Sequence, residues 1–303
     1  MKKILFMGTP DYAQKILQTI LQQKEFEVVA VFTQMDKPVG RKKILTPPAV
    51  KTLAQEHNIK VYQPKSLQSD QAIADVLAIG CDFIVVAAYG QILPKEILKH
   101  APCINLHASV LPKYRGASPI QQALLNGDTT TGVTAMLMDE GLDTGDILAI
   151  KECVIEPDET AVELFEKLTQ IAAVLSVEVL ENFTKLTPQP QDDTQASYCK
   201  KITKADGQVE FVNAQSLYNT YRAFTPWPGV FLPSGLKLKK MQLHQKEGMY
   251  AKGEILECTK EYAIIGTAKG SIKLFRVQPQ SKKEMDIYSY INGKRLQVGD
   301  TVL

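Results

Sequence analysis

Apolar residues fall along this chain in short blocks whose spacing switches between two periods. Ile4 to Met7 is continuously apolar, stops at Gly8-Thr9-Pro10, and gives way to Ala13, Ile16, Leu17, Ile20 and Leu21 at helical spacing. The pattern predicts strand, turn, helix. A second strand is predicted over Val28 to Phe32, and Ala49-Val50-Leu53-Ala54 begins another helix. Phe83 to Ala88 is apolar on both faces, as a strand inside a parallel sheet covered by helices must be. Further strands fit Cys103 to His107 and Val133 to Met138. Asp158 to Phe183 reads as one long helix with Val162, Phe165, Leu168, Ile171, Ala172 and Leu175 turned inward. Strands and helices in alternation imply an α/β fold, Rossmann-like and doubly wound around a mostly parallel sheet.

The pattern changes near Thr187. Thr187 to Asp206 is polar, carries Pro188 and Pro190, and reads as a linker. After one helix bearing Leu217, Tyr218, Tyr221 and Phe224, short runs alternate with glycine turns: Gly229 to Leu232, Leu236 to Leu243, Gly253 to Glu257, Tyr262 to Gly266 and Ser271 to Val277. They predict a smaller, OB-like β-barrel. The expected organisation is a catalytic domain over residues 1–187, a linker over 188–206 and a barrel over 207–303.

Composition sharpens this picture. The chain has 303 residues, 45% of them hydrophobic, enough for two cores and too apolar for disorder. No run of about 18 apolar residues exists to span a membrane, and Ile4 to Met7 is too short for the apolar core of a signal peptide. A cytoplasmic protein is expected. Cys81, Cys103, Cys153, Cys199 and Cys258 are odd in number and form no C-x-x-C, which predicts reduced thiols rather than disulfides or a thiolate metal site. Gly8-Thr9-Pro10-Asp11 lacks the G-x-G-x-x-G order, which disfavours a dinucleotide. The formal charge of +2 hides a split: from Ala205 onward 14 Lys+Arg face 9 Asp+Glu, and before it 21 face 24.

Ligands of doubly wound sheets sit beyond the carboxyl ends of the strands, so the chemistry is sought there. Asn105 and His107 lie two apart at the end of an apolar strand and therefore share a face. The glycine-punctuated stretch Asp139-Glu140-Gly141-Leu142-Asp143-Thr144-Gly145-Asp146 follows another strand and can bring a carboxylate to the same edge. An amide, an imidazole and a carboxylate suit acyl transfer to an amine. Asn105 would donate to the developing oxyanion, His107 would manage the proton the amine sheds, and Asp143 would hold His107 in one tautomer. The same residues admit a structural reading: a strand-end histidine satisfied locally, and Asp139, Asp143 and Asp146 as turn formers. A calcium loop is disfavoured because the D-x-D-x-D-G order is absent, and Cys103 has no local group to activate it as a nucleophile.

Asn105-Leu106-His107-x-Ser109-x-Leu111-Pro112-x-Tyr114-Arg115-Gly116, followed by Asp139-x-Gly141-x-Asp143-Thr144-Gly145, resembles the signature of the folate-dependent formyltransferases. The resemblance covers essentially the whole chain and implies 10-formyltetrahydrofolate as formyl donor, with no metal. It places Asn105, His107 and Asp143 at that family's catalytic positions. Ser109, Val110, Leu111 and Pro112 match its folate contact, with valine where leucine is usual, and Tyr89 and Gly90 resemble the loop flanking the pteridine pocket.

Members formylate different amines: a ribonucleotide, amino sugars, or methionine esterified to initiator tRNA. The basic stretch Asp36-Lys37-Pro38-Val39-Gly40-Arg41-Lys42-Lys43 is similar to a loop of the tRNA-directed members, which implies initiator methionyl-tRNA as partner and Arg41, Lys42 and Lys43 as its contacts. Three adjacent cations are by themselves an ordinary solvated face. Lys237 and Lys239 are expected on one exposed face of a barrel strand, able to meet phosphates without reading sequence. Trp227, between two prolines, reads as a buried turn anchor, with base stacking as the alternative. Nothing in the sequence demands assembly, and a monomer is expected. Two rivals stay open: a sugar or ribonucleotide formyltransferase, and a non-enzymatic nucleic-acid-binding module, which would leave the trio idle.

Overall fold

The computed structural model describes residues 1–40 and 42–302. The chain forms two units, one from Met1–Pro119, Thr130–Val154 and Phe165–Cys199, the other from Ile120–Thr129, Ile155–Leu164 and the segment from Lys200 onward.

The first unit opens with β1 (Lys2–Gly8), α1 (Asp11–Leu21) and β2 (Phe26–Phe32), then a short antiparallel pair, β3 (Lys37–Val39) and β4 (Ile44–Thr46). Next come α2 (Ala49–Glu56), β5 (Val61–Tyr62), α3 (Asp70–Leu77), β6 (Phe83–Ala87), α4 (Lys95–Leu98) and β7 (Cys103–His107). After β8 (Arg115–Gly116) the chain lends α5 (Pro119–Asn126) almost wholly to the second unit, then returns through β9 (Thr130–Leu137), β10 (Ile147–Val154), α6 (Ala161–Asn182) and β11 (Tyr198–Cys199). Seven strands lie in the order β10-β9-β7-β6-β1-β2-β5. β5, β2, β1, β6 and β7 are parallel, and β9 runs antiparallel to β7 and to β10. This is the mostly parallel, doubly wound sheet the periodicity predicted. The strand order reverses between β1 and β6, which makes the carboxyl ends of these strands the natural ligand crevice.

Alternation along the strands sets the core. Leu5 and Met7, Ala30 and Phe32, and Ile84 and Val86 pack together under one face with Leu67, Tyr89 and Ile97, all essentially inaccessible. Burying each large side chain contributes about 1.5–3 kcal/mol, so the central strands dominate the unit's stability. α6 starts at Ala161, three residues later than the sequence suggested. Thr160 N and Oγ1 both donate to Glu163 Oε2, at 2.7 and 2.8 Å, a capping arrangement that fixes the first turn. With that start Leu164 is buried, whereas Val162, expected inward, is 44% exposed.

The second unit contains α7 (Ala214–Phe224), β12 (Val230–Phe231), β13 (Lys237–Gln245), β14 (Ile255–Cys258), β15 (Ala263–Gly266), β16 (Ser271–Gln278), β17 (Met285–Asp286) and α8 (Ile287–Gly293). Its six strands are antiparallel in the order β12-β13-β16-β15-β14, with β17 on β16, a barrel-like sheet of the expected class. Lys237 and Lys239 are exposed on either side of buried Leu238, but a register shift places Lys240 on the exposed side as well, a bulge that widens the cationic face. Arg222 on α7 is buried and donates to the carbonyl of Glu159 at 3.2 Å and to Asn219 Oδ1 at 3.0 Å.

Among the described residues no helix is long and apolar enough to cross a membrane, and no cluster of His, Cys, Asp and Glu is arranged to hold a metal ion.

Candidate active site

The site is assembled at the carboxyl end of β7. Pairing of β7 with β6 on one side and β9 on the other, Val86 with Asn105 and His107 with Thr134, holds the strand straight to its last residue. Period-two geometry then sends Asn105 and His107 to one face. The chain next turns sharply. Ser109 Oγ donates to the Lys113 carbonyl at 2.6 Å, while Thr134 Oγ1 donates to the Ser109 carbonyl at 2.7 Å and accepts from Leu111 N at 3.1 Å. Thr134, which sequence reasoning passed over, thus pins the turn to the sheet.

The carboxylate arrives from the loop between β9 and β10. Asp139 Oδ1 accepts from Gly141 N at 3.0 Å and from Thr144 Oγ1 at 2.7 Å, so Asp139 is a turn former. Asp146 is exposed. Only Asp143 turns inward, and it does so with a left-handed backbone, φ +54°. That conformation costs a residue other than glycine roughly 1–3 kcal/mol unless its surroundings hold it. Gly145 lets the loop pass close to the sheet, since a Cβ there would strike the Leu137 carbonyl.

These elements bring Asn105, His107 and Asp143 together. Asn105 Nδ2 donates to Asp143 Oδ1 at 3.4 Å, and His107 Nδ1 lies 3.6 Å from Asp143 Oδ2. Gly116 N donates to Oδ2 at 2.8 Å, the shortest of the contacts on this carboxylate. His107 Nε2 sits 2.9 Å from the Tyr114 carbonyl. A carbonyl only accepts, so Nε2 carries a proton. The tautomer is therefore fixed by Tyr114 rather than by Asp143, as the sequence had suggested. Nδ1, the other ring nitrogen, faces the carboxylate. The His107 and Asp143 side chains are 7% and 13% exposed, so the two groups face each other with little access to solvent.

Other expected site residues are placed as follows. Ser109 and Leu111 are buried, and the Ser109 hydroxyl is committed to the turn, so the accessible surface of this segment is that of Val110 and Pro112, both apolar. Tyr89 is 2% exposed and packs in the sheet core. Its carbonyl accepts from Thr9 Oγ1 and Gln34 Nε2, both at 3.1 Å. Ala88 and Gly90 on either side are exposed, with φ +44° and +79°, so this rim presents backbone rather than side chain. Cys103 is inert as a nucleophile: burial pushes its thiol up to about 12.

The basic stretch becomes the antiparallel β3-β4 pair. Asp36 anchors its base through Lys51 Nζ at 2.8 Å and Gln63 Nε2 at 2.8 Å. Lys42 and Lys43 are exposed, as are Val39, Ile44 and Leu45. Arg41 lies outside the described residues. Trp227 is 59% exposed, so the expectation of a buried anchor fails; Phe224, at 2%, fills that part of the core.

Two family models cover the chain. Residues 2–180 match the formyl transferase model and residues 201–295 match the formyl transferase C-terminal domain. The chain belongs to the formyl transferase family. Over 99% of both chains it is 62% identical to the methionyl-tRNA formyltransferase of Sulfurimonas denitrificans and 56% identical to that of Nitratiruptor sp.. Its fold matches that of WlaRD, a sugar 3N-formyl transferase crystallised with dTDP and 5-N-formyl-THF, with a TM-score of 0.70 at 21% identity over 93% of this chain and 99% of that one.

Proposed function

We propose that this protein transfers the formyl group of 10-formyltetrahydrofolate to the amino group of methionine esterified to initiator tRNA, for translation initiation. The observation that carries the reading is the convergence of an amide and an imidazole from the end of β7 with a carboxylate from the β9-β10 loop, 3.4 and 3.6 Å from that carboxylate. Full-length identity to methionyl-tRNA formyltransferases supplies the acceptor.

The methionyl nitrogen attacks the formyl carbon, and the formyl oxygen takes up the negative charge. Asn105 Nδ2 releases Asp143 and donates to that oxygen. The C–N bond to the folate breaks, N10 leaves with the bonding pair, and the proton shed by the attacking amine ends on N10. His107 Nδ1, facing Asp143, relays this proton while the charge it passes through is balanced by the carboxylate. Val110 and Pro112 would press on the folate ring system, with Ser109 and Leu111 shaping the turn beneath, and the Tyr89-Gly90 backbone would meet its polar edge. Arg41, Lys42 and Lys43 would contact the acceptor arm, and the cationic strand β13 would contact phosphates elsewhere on the tRNA. The reading places the enzyme in the cytoplasm, acting as a monomer, with residues 1–187 as catalytic domain, 188–206 as linker and 207–303 as the tRNA-binding part.

The deciding experiment incubates the purified protein with charged initiator tRNA and 10-formyltetrahydrofolate and assays formyl-methionine, with charged elongator tRNA as control. Formylation of free amino sugars in place of the tRNA would overturn the reading.

A further inference from the structure

The polar stretch that follows α6 is not slack. Gln189 exchanges backbone hydrogen bonds with Ile147, both at 2.8 Å, and Tyr198 and Cys199 form β11 alongside β8 in parallel register. Ser197 Oγ accepts from Tyr114 N at 2.9 Å, and the Ser197 carbonyl accepts from Arg115 N at 2.9 Å. Between these fixed points lies Gln191. Its Nε2 donates to the carbonyls of Asp143 at 2.9 Å and Gly145 at 2.7 Å. Its Oε1 accepts two bonds from Arg115, from Nε at 3.0 Å and Nη2 at 2.8 Å. Both amide protons and both lone pairs of this one side chain are used.

Arg115 is 1% exposed, and its remaining bonds go to Asp193 at 2.7 Å and the Tyr198 hydroxyl at 3.2 Å. Its chain neighbours are the two residues that touch the trio: the Tyr114 carbonyl binds His107, and Gly116 N binds Asp143. Gln191 therefore closes a ring. One arm grips the left-handed loop carrying Asp143, and the other grips the arginine of the loop that orients His107.

We propose that Gln191 is a positioning residue that sets Asp143 against His107, so that the clasp of residues 189–199 is part of the catalytic apparatus. This rests on the function proposed above. Gln191 touches neither substrate nor reacting atoms; it acts through the carbonyls of Asp143 and Gly145, which hold the loop segment that begins at Asp143.

Gln191→Glu separates the two arms. It keeps the oxygens for Arg115 and replaces the amide protons facing Asp143 and Gly145 with a carboxylate oxygen. With charged initiator tRNA and 10-formyltetrahydrofolate, kcat is expected to fall about tenfold to a hundredfold, the scale of a small misplacement, with KM for both substrates within about threefold. In an Asp143→Asn background the same substitution should cost under about threefold, because residues acting as a unit are not additive. Turnover within about twofold of wild type, a loss confined to KM, or the same factor in both backgrounds would each overturn the proposal. If Gln191→Glu does not give a cooperative melt, Gln191→Met, of similar length and uncharged, completes the same cycle. Wild-type turnover in Asp143→Asn alone would instead sink the reading of the site.

Discussion

The Asn105 side-chain amide donates to Asp143 Oδ1 across 3.4 Å, so in the free protein the amide proposed as oxyanion donor is parked on the carboxylate by a long bond. A long bond is a weak one and is readily exchanged for a shorter bond to developing negative charge. Asn105→Ala should therefore lower kcat by about 10²- to 10³-fold, the cost of one lost oxyanion donor. The thermal midpoint should stay close to wild type because Asn105 is only partly buried. Near-normal turnover in pure Asn105→Ala protein would remove it from the mechanism.

His107→Ala should cost roughly 10²- to 10⁴-fold, as expected for a positioned proton-transfer group. Because Tyr114 fixes Nε2 as a donor, His107→Gln, which can supply a donor but no titrating nitrogen, should restore folding stability and leave turnover low. Recovery of turnover in His107→Gln would show that orientation alone suffices.

The Lys42 and Lys43 side chains are exposed. Replacing both with alanine should leave stability within about 0.5 kcal/mol. The slope of log affinity for tRNA against log salt should fall by about one per lost phosphate contact. Folate binding should not change. An unaltered salt slope would exclude the β3-β4 pair from the tRNA interface.

Trp227 and Phe224 make a contrasting pair at the end of α7. With Trp227 59% exposed and Phe224 2% exposed, Trp227→Ala should barely move the melting temperature. Phe224→Ala should destabilise the protein by about 3–5 kcal/mol. Equal losses in the two variants would contradict these burials.

Asp206 accepts from Thr203 Oγ1 and Thr203 N, both at 2.7 Å, and pairs with Lys200 at 3.0 Å. The Thr203 bonds first, then Lys200, hold its carboxyl down at about 2, against an ordinary value of 3.8. A depressed folded value means the unfolded chain takes up the proton first. The stabilisation is complete above pH 3.8 and is lost as pH falls from there to about 2. Acid melts of Asp206→Asn should lack this component, and identical acid profiles for the two proteins would rule it out.

The fold was legible because it is written in periodicity. The apolar runs at β1, β2, β6 and β7 and the glycine-spaced strands from Val230 onward each repeat one signal over several residues, so a local misreading does not change the class. The three polar site residues were legible by position: Asn105 and His107 by their spacing of two, Asp143 by the glycines around it and by the resemblance. What stayed hidden was carried by single long-range bonds. Thr134 looks like any β-strand threonine, and Gln191 sits in a stretch whose prolines and aspartates signal a loop. Its partners, Arg115, Asp143 and Gly145, lie 76, 48 and 46 residues away. The Tyr114 carbonyl was missed because backbone groups leave no trace in residue identity.

The second unit takes Ile120–Thr129 and Ile155–Leu164 from the middle of the chain, and buried Arg222 finds its carbonyl partner at Glu159 there. It is consequently not a cassette that ends cleanly at one sequence position. A cut anywhere between Thr187 and Asp206 would strand those two segments on one fragment and separate the Arg222 guanidinium on the other from its Glu156 and Glu159 carbonyl acceptors. Recombination or fusion that exchanges only the C-terminal third must therefore preserve the Glu156 to Glu159 turn of the recipient.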